Sequence, residues 1–264
     1  AALYATWQAA RDHHASRWRW ILAAGFFLGL TLASKGSGFI YAPAMAAMMV
    51  WPHFTQWWEA RRLTHLRFLL VEGAAMVGTA LLVLWAVYGF QVGPLPGGTL
   101  SLPFPAHIGL LKTILRDTDR IAFLHGTTRV GGWWWYFFYT TAVKTPLPLL
   151  ALGLWSAVAW MRRDSRHRIA SAPLLVFPGL YWLTAVTSGM NIGHRHLLPT
   201  FPLFYVFIAH LGAVRPPSLG ERHRWARGVL AALLILCAVE ALIIFPFYLA
   251  YFNPLAGGPS QGYR

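Results

Sequence analysis

Long apolar runs alternate with short basic clusters along almost the whole chain. Three runs approach or exceed the roughly 20 residues that a membrane-spanning helix needs: Leu69–Phe90, Ala170–Thr187 and Gly228–Tyr251. Leu197–Val214 is a fourth and Val143–Met161 a fifth. Proline suits the first turn of a helix but not its interior, so the fifth helix is expected to begin only at Pro146 and Pro148. Trp20–Ser34 and Gly38–Trp51 are shorter. At ~1.5 Å per residue the first reaches about 22 Å, less than the ~30 Å hydrocarbon core. The two fit either one broken helix or a tight hairpin with Lys35 at its tip.

The basic clusters decide between these. Arg11, Arg17 and Arg19 precede the pair, and Arg61, Arg62 and Arg67 follow it. Lys and Arg collect on the cytoplasmic side of membrane proteins, so both ends face inward and the crossings are even in number. That favours the hairpin and puts Lys35 at the outer face. The alternation then continues. Val143–Met161 runs inward to Arg162, Arg163, Arg166 and Arg168, and Leu197–Val214 runs inward to Arg215, Arg222, Arg224 and Arg227. The expected fold is therefore all-α. It is a polytopic membrane protein of about seven membrane-embedded segments, forming a single membrane domain over residues 1–264. One sizeable outer loop, 91–132, carries a helix around Ile108–Phe123. Trp133–Tyr139 is read as a helix on or entering the outer surface, where Trp and Tyr concentrate.

Composition agrees with a membrane protein. Of 264 residues 57% are hydrophobic and only 11% charged, against roughly 25% charged in soluble domains. The net charge of +14 sits in clusters between apolar runs, so it is assigned to loops facing anionic lipid rather than to nucleic acid. The lone Cys237 lies inside an apolar run and offers neither an intrachain disulfide nor redox chemistry.

The basic residues left outside are Lys35, Lys112, Arg116, Arg120, Arg129, Lys144, Arg195 and Arg264. Lys35, Lys144 and Arg195 stand at outer helix ends, where a cation either snorkels among lipid headgroups or grips an anionic ligand. Arg195 presents a rigid fork that holds two phosphate oxygens at once, with Asn191, His194 and His196 beside it as hydrogen-bonding candidates. The two histidines, one residue apart with no acid or cysteine near, are poor zinc spacing, and no metal is expected. Asp117 and Asp119 alternate with Arg116 and Arg120, the pattern of a solvated helix face. Glu240 falls mid-membrane in the last run and is read as a protonated or paired packing group.

Four segments resemble one family. Gly25-Phe-Phe-Leu-Gly-Leu-Thr-Leu-Ala-Ser-Lys35 is similar to "G-x-x-x-G-L-x-x-x-[ST]-K". Phe123-Leu-His-Gly126, followed by Gly132-Trp-Trp-Trp-Tyr136 and Lys144-Thr-Pro-Leu147, is similar to the outer-loop pattern "L-x-G", "W-x-Y" and "K-T-P-L". Asn191-Ile-Gly-His-Arg-His-Leu-Leu-Pro199 with Pro202 is similar to "I-G-x-R-Y-x-L-P-x-x-P", and Pro246–Gly258 to "yl-x-yFN-x-laGG". These patterns belong to polyprenol-phosphate-dependent glycosyltransferases, the family of the protein O-mannosyltransferases and bacterial lipid A aminoarabinose transferases. The four occur here in the expected order.

The resemblance implies a plasma-membrane enzyme that moves a sugar from a polyprenyl-phosphate carrier to a protein, lipid or glycan acceptor on the periplasmic or outer side. Its donor substrate is the lipid-linked sugar, with no other cofactor assigned. Lys35 and Arg195 would hold the donor phosphate, with Asn191, His194, His196 and Lys144 as further substrate contacts. Such enzymes use an acid in the first outer loop as general base. Asp117 and Asp119 come too late in the order, so the catalytic carboxylate is expected upstream of Ala1 in a longer protein. The rival reading is a multi-pass transporter or lipid-linked-sugar flippase. Cations at helix ends rather than at midplane, and no sign of an inverted repeat, count against it.

Overall fold

The computed structural model describes residues 1–11, 16–60, 64–94, 99–116, 121–165, 168, 171, 173–189, 191, 193–213 and 221–261. The chain is mostly helical and divides into two compact units, Ala1–Asp117 and Thr118–Arg264.

The first unit is built on glycine-mediated helix contact. Helix α2 (Arg17–Ser34) packs on α4 (Thr64–Val87). A Cβ on Gly29 would lie 2.5 Å from the Ala80 carbonyl oxygen, and one on Gly25 would collide with that of Met76. The G-x-x-x-G spacing therefore lets two backbones touch. Arg17 locks the same pair with two hydrogen bonds to Glu72, each 2.6 Å, in a nearly buried ion pair. The matched positions 17 with 72, 25 with 76 and 29 with 80 both ascend, so α2 and α4 run parallel. The chain must double back between them, and α3 (Tyr41–Ala60) makes that return.

Lys35 marks the break. It is extended at φ −155° between α2 and a 3-10 turn, Gly36–Ile40. A Cβ on Gly38 would lie 2.6 Å from the Thr31 carbonyl oxygen, so the space at this glycine is taken by the chain's own last helical turn rather than left for a headgroup. Helix α1 (Ala2–Arg11), unforeseen from the sequence, packs the small residues Ala2, Ala5 and Ala9 against α2 and α3. A short strand pair, β1 (Val92–Pro94) with β2 (Ser101–Pro103), leads into α5 (Pro105–Arg116).

The second unit corrects the expected helix through Phe123. Ile121–Leu124 (β3) is a strand paired antiparallel with Thr127–Val130 (β4). Their two-residue turn, His125-Gly126, has both φ values positive (50° and 73°), the requirement of a type I′ hairpin turn. Helix α6 (Tyr136–Lys144) follows, and α7 (Leu147–Met161) begins at the proline pair as expected, at 116° to α6. Helix α8 spans Pro173–Thr187. The fourth apolar run opens as a 3-10 turn, His194–Thr200, and only then becomes α9 (Phe201–Ala213). The last helix, α10, covers Glu221–Ile244 and stops before Pro246, which cannot donate to a continuing ladder. Glu240 thus stands one turn from the helix end, not mid-span.

Among the described residues two helical stretches, Leu69–Val87 and Arg224–Ile244, are long and apolar enough to cross a membrane, or three if the bent pair α6–α7 counts as one. Ser37–Trp51 and Leu174–Thr187 are apolar but shorter. Arg61, Arg62, Asp117, Asp119, Arg120, Arg166, Arg215 and Arg264 lie outside the described residues, as do the side chains of Arg67, Arg116 and Arg222.

Candidate functional site

A cavity of about 840 Å³ opens in the second unit. It is walled by α6, the start of α7, the 3-10 turn with the first residues of α9, the end of α10 and the segment Tyr248–Tyr251. Three of the residues singled out from the sequence line it: Lys144, His194 and Arg195. They come from two segments about fifty residues apart and meet because α6 packs on the 3-10 turn.

The turn that delivers His194 and Arg195 is set by Gly193, at φ 122°, a conformation that a side chain would strain. Arg195 is exposed. Among the described residues its guanidinium has neither an ion-pair nor a hydrogen-bond partner. It is a cation with its donors still to be used. Lys144 is more committed. Its ammonium donates to the Leu249 carbonyl at 3.0 Å and sits 4.0 Å above the Phe252 ring, a cation–π contact that holds the head group in place.

His194 has both ring nitrogens shielded from water and without a partner among the described residues. Burial, with the Lys144 charge as a second cause, lowers its pKa to about 4. The imidazole is neutral at physiological pH and is not a third cation.

Asn191 is buried and turned elsewhere. Its Nδ2 donates to the Trp133 carbonyl at 2.7 Å, and its side chain fills the space a Cβ on Gly132 would need. It ties the His-Arg-His loop to the start of the aromatic segment and does not line the cavity. His196 lies in the same 3-10 turn and is likewise not a lining residue. Lys35 belongs to the first unit, exposed at the break between α2 and its 3-10 turn.

Two residues that carried little weight in the sequence now matter. Glu240 and Tyr251 both line the cavity, and the Tyr251 hydroxyl donates to Glu240 Oε2 at 2.5 Å. The signal for this was weak, because reading the last run through to Tyr251 put Glu240 in the bilayer centre. Asn253 is fully buried and caps α6. Its Nδ2 donates to the carbonyls of Ala142 (2.6 Å) and Thr145 (3.0 Å), and its backbone N–H donates to that of Val143 (2.8 Å). These are helix-end carbonyls that would otherwise lack partners. The "F-N" pair of the C-terminal motif thereby fixes the helix end that bears Lys144.

Two smaller cavities adjoin. One of about 560 Å³ shares Tyr136, Thr140 and Lys144 with the first and extends to His125, Tyr139 and Phe252. The other, of about 300 Å³, is almost wholly apolar and shares Phe201, with Pro178, Trp182 and Phe204 deeper in its wall. No protein-family model, no curated protein and no solved structure matches the chain.

Proposed function

We propose that this chain belongs to a membrane glycosyltransferase that moves a sugar from a polyprenyl-phosphate carrier to an acceptor on the outer side of the plasma membrane. The observation that carries the reading is the cavity holding Arg195, Lys144 and the neutral His194 together. An unpaired guanidinium with an anchored ammonium in the same cavity suits a phosphate. The apolar cavity behind Phe201 suits the first isoprene units of the tail. In the reaction the carrier phosphate leaves the anomeric carbon, and negative charge grows on its oxygens. Cations held there stabilise the transition state more than the ground state.

The seven-segment topology and the outward orientation are parts of this proposal. The acceptor is a protein, lipid or glycan hydroxyl or amine, and the acid that deprotonates it has no assigned residue. The test is sugar transfer from a radiolabelled polyprenyl-phosphate sugar by the full-length protein in proteoliposomes, beside a measurement of lipid-linked sugar movement across the same vesicles. Transfer without translocation supports the transferase. Translocation without transfer replaces it with a flippase.

A further inference from the structure

His194 departs from the rest of the cavity. Lys144 is anchored and Glu240 and Tyr251 are paired with each other, whereas both ring nitrogens of His194 are unpaired among the described residues. The ring packs edge-on against Phe201, with centroids 5.5 Å apart and planes at 85°. Buried polar atoms left without partners cost on the order of 1–3 kcal/mol each, so the ring gains by acquiring them. The torsion about its Cβ–Cγ bond is broad, so the ring has freedom to turn toward a ligand in the cavity it lines.

The kind of partner follows from hydrogen-bond inventory. A neutral imidazole carries one N–H donor and one lone-pair acceptor. The phosphodiester of a lipid-linked sugar offers acceptors only, so it answers one nitrogen and leaves the other orphaned. A hydroxyl both donates and accepts. The two nitrogens point to opposite sides of the ring, so one sugar hydroxyl answers one of them and a second, non-adjacent hydroxyl of the sugar answers the other. The low pKa of His194, near 4, keeps both functions available at physiological pH. The phosphate meanwhile has Arg195 within the same cavity.

We propose that His194 reads the sugar: its imidazole accepts from one hydroxyl and donates to another on the glycosyl group, while Arg195 takes the phosphate. This rests on the lipid-phosphate reading above and makes His194 a specificity-determining contact distinct from the charge-binding ones.

The experiment compares two classes of lipid on the full-length protein in nanodiscs: a bare lipid, undecaprenyl methyl phosphate, which is a phosphodiester of the same charge, and undecaprenyl phosphate bearing mannose, glucose or galactose. Wild type is expected to bind at least one glycosylated lipid roughly tenfold more tightly than the bare one, the effect of a pair of modest hydrogen bonds. His194→Phe should bring that ratio close to one. His194→Gln, which keeps a donor and an acceptor, should retain most of the preference. As a readout independent of the variants, the ¹⁵N resonances of the wild-type His194 ring should move on adding the preferred glycosylated lipid and stay in place with the bare one. An unchanged ratio in His194→Phe, an equal loss for both lipids, or unmoved ring resonances would overturn the inference. Wild type that binds the bare lipid but shows no preference also overturns it and leaves the lipid-phosphate reading standing. If wild type binds neither class, both fall.

Discussion

Tyr251 donates its hydroxyl to the Glu240 carboxylate at 2.5 Å, closing the segment after the last helix back onto that helix. A hydrogen bond to a carboxylate contributes more than a neutral one, and this pair is half-buried. Tyr251→Phe is therefore expected to lower stability by about 1.5 kcal/mol, the low end for charge-assisted bonds. Glu240→Gln, which keeps the shape and a weaker acceptor, should cost less. Thermal unfolding in detergent checks both. Equal losses for the two variants would show that packing, not the bond, holds the segment.

Asn253 makes a larger claim on stability. Its side chain serves two carbonyls at the end of α6 and accepts from the Ala256 N–H at 3.3 Å. Asn253→Ala strands those groups in a buried place, and the expected loss is about 3 kcal/mol, from orphaned partners as well as missing bonds. Because α6 ends at Lys144, the variant should also make that lysine react faster with an amine-acylating reagent. A destabilised variant whose Lys144 reacts as in wild type would separate the cap from the positioning of the lysine.

Glycines give opposite signs according to what faces them. Gly29→Ala drives a methyl group into the Ala80 carbonyl, so α2 and α4 must separate, with an expected loss of about 1–3 kcal/mol, as for overpacking in general. Nothing lies within 4 Å of a Cβ on Gly78. Gly78→Ala should stabilise α4 by about 0.5–1 kcal/mol through helix propensity alone. Melting the two variants side by side tests this contrast, and a loss at both positions would contradict it.

The sequence was most legible where periodicity and punctuation agreed. The break at Lys35, flanked by Gly36 and Gly38, and the start of α7 at its proline pair were both readable because those residues act locally. The β3–β4 hairpin was missed because an apolar stretch of four residues fits either element, although its His-Gly turn was the available clue. Helix α1 escaped notice because Ala and Thr give little hydropathy contrast, and its stripe of small residues has meaning only against α2 and α3. Lys144 and Arg195 were named from their positions at helix ends. That His194 is unpaired and Asn191 committed to Trp133 depends on side-chain packing that no spacing encodes.

Protonating His194 introduces a charge beside Lys144 in a buried place. Its pKa is about 4 in the folded chain, against 6.5 for an unperturbed histidine. Between those values the unfolded chain binds more protons, so stability rises with pH across that window. Acidification from about pH 7 to about pH 5 should therefore destabilise the wild type more than His194→Phe. Melting curves at the two pH values give the comparison. Identical pH dependence in the two proteins would mean that His194 titrates normally.

Arg195 carries the strongest functional prediction. Under the proposed reaction the charge on the carrier phosphate grows as the glycosidic bond breaks, so a donor aimed at it acts mainly in the transition state. Arg195→Ala is expected to lower kcat by on the order of 10²–10³, as for other donors that meet developing charge, with a smaller change in KM. Arg195→Lys keeps the charge but loses the two-point fork, and it should recover only part of that rate. Steady-state transfer kinetics with a polyprenyl-phosphate sugar settle the matter. An Arg195→Ala enzyme within about twofold of wild type removes the phosphate role.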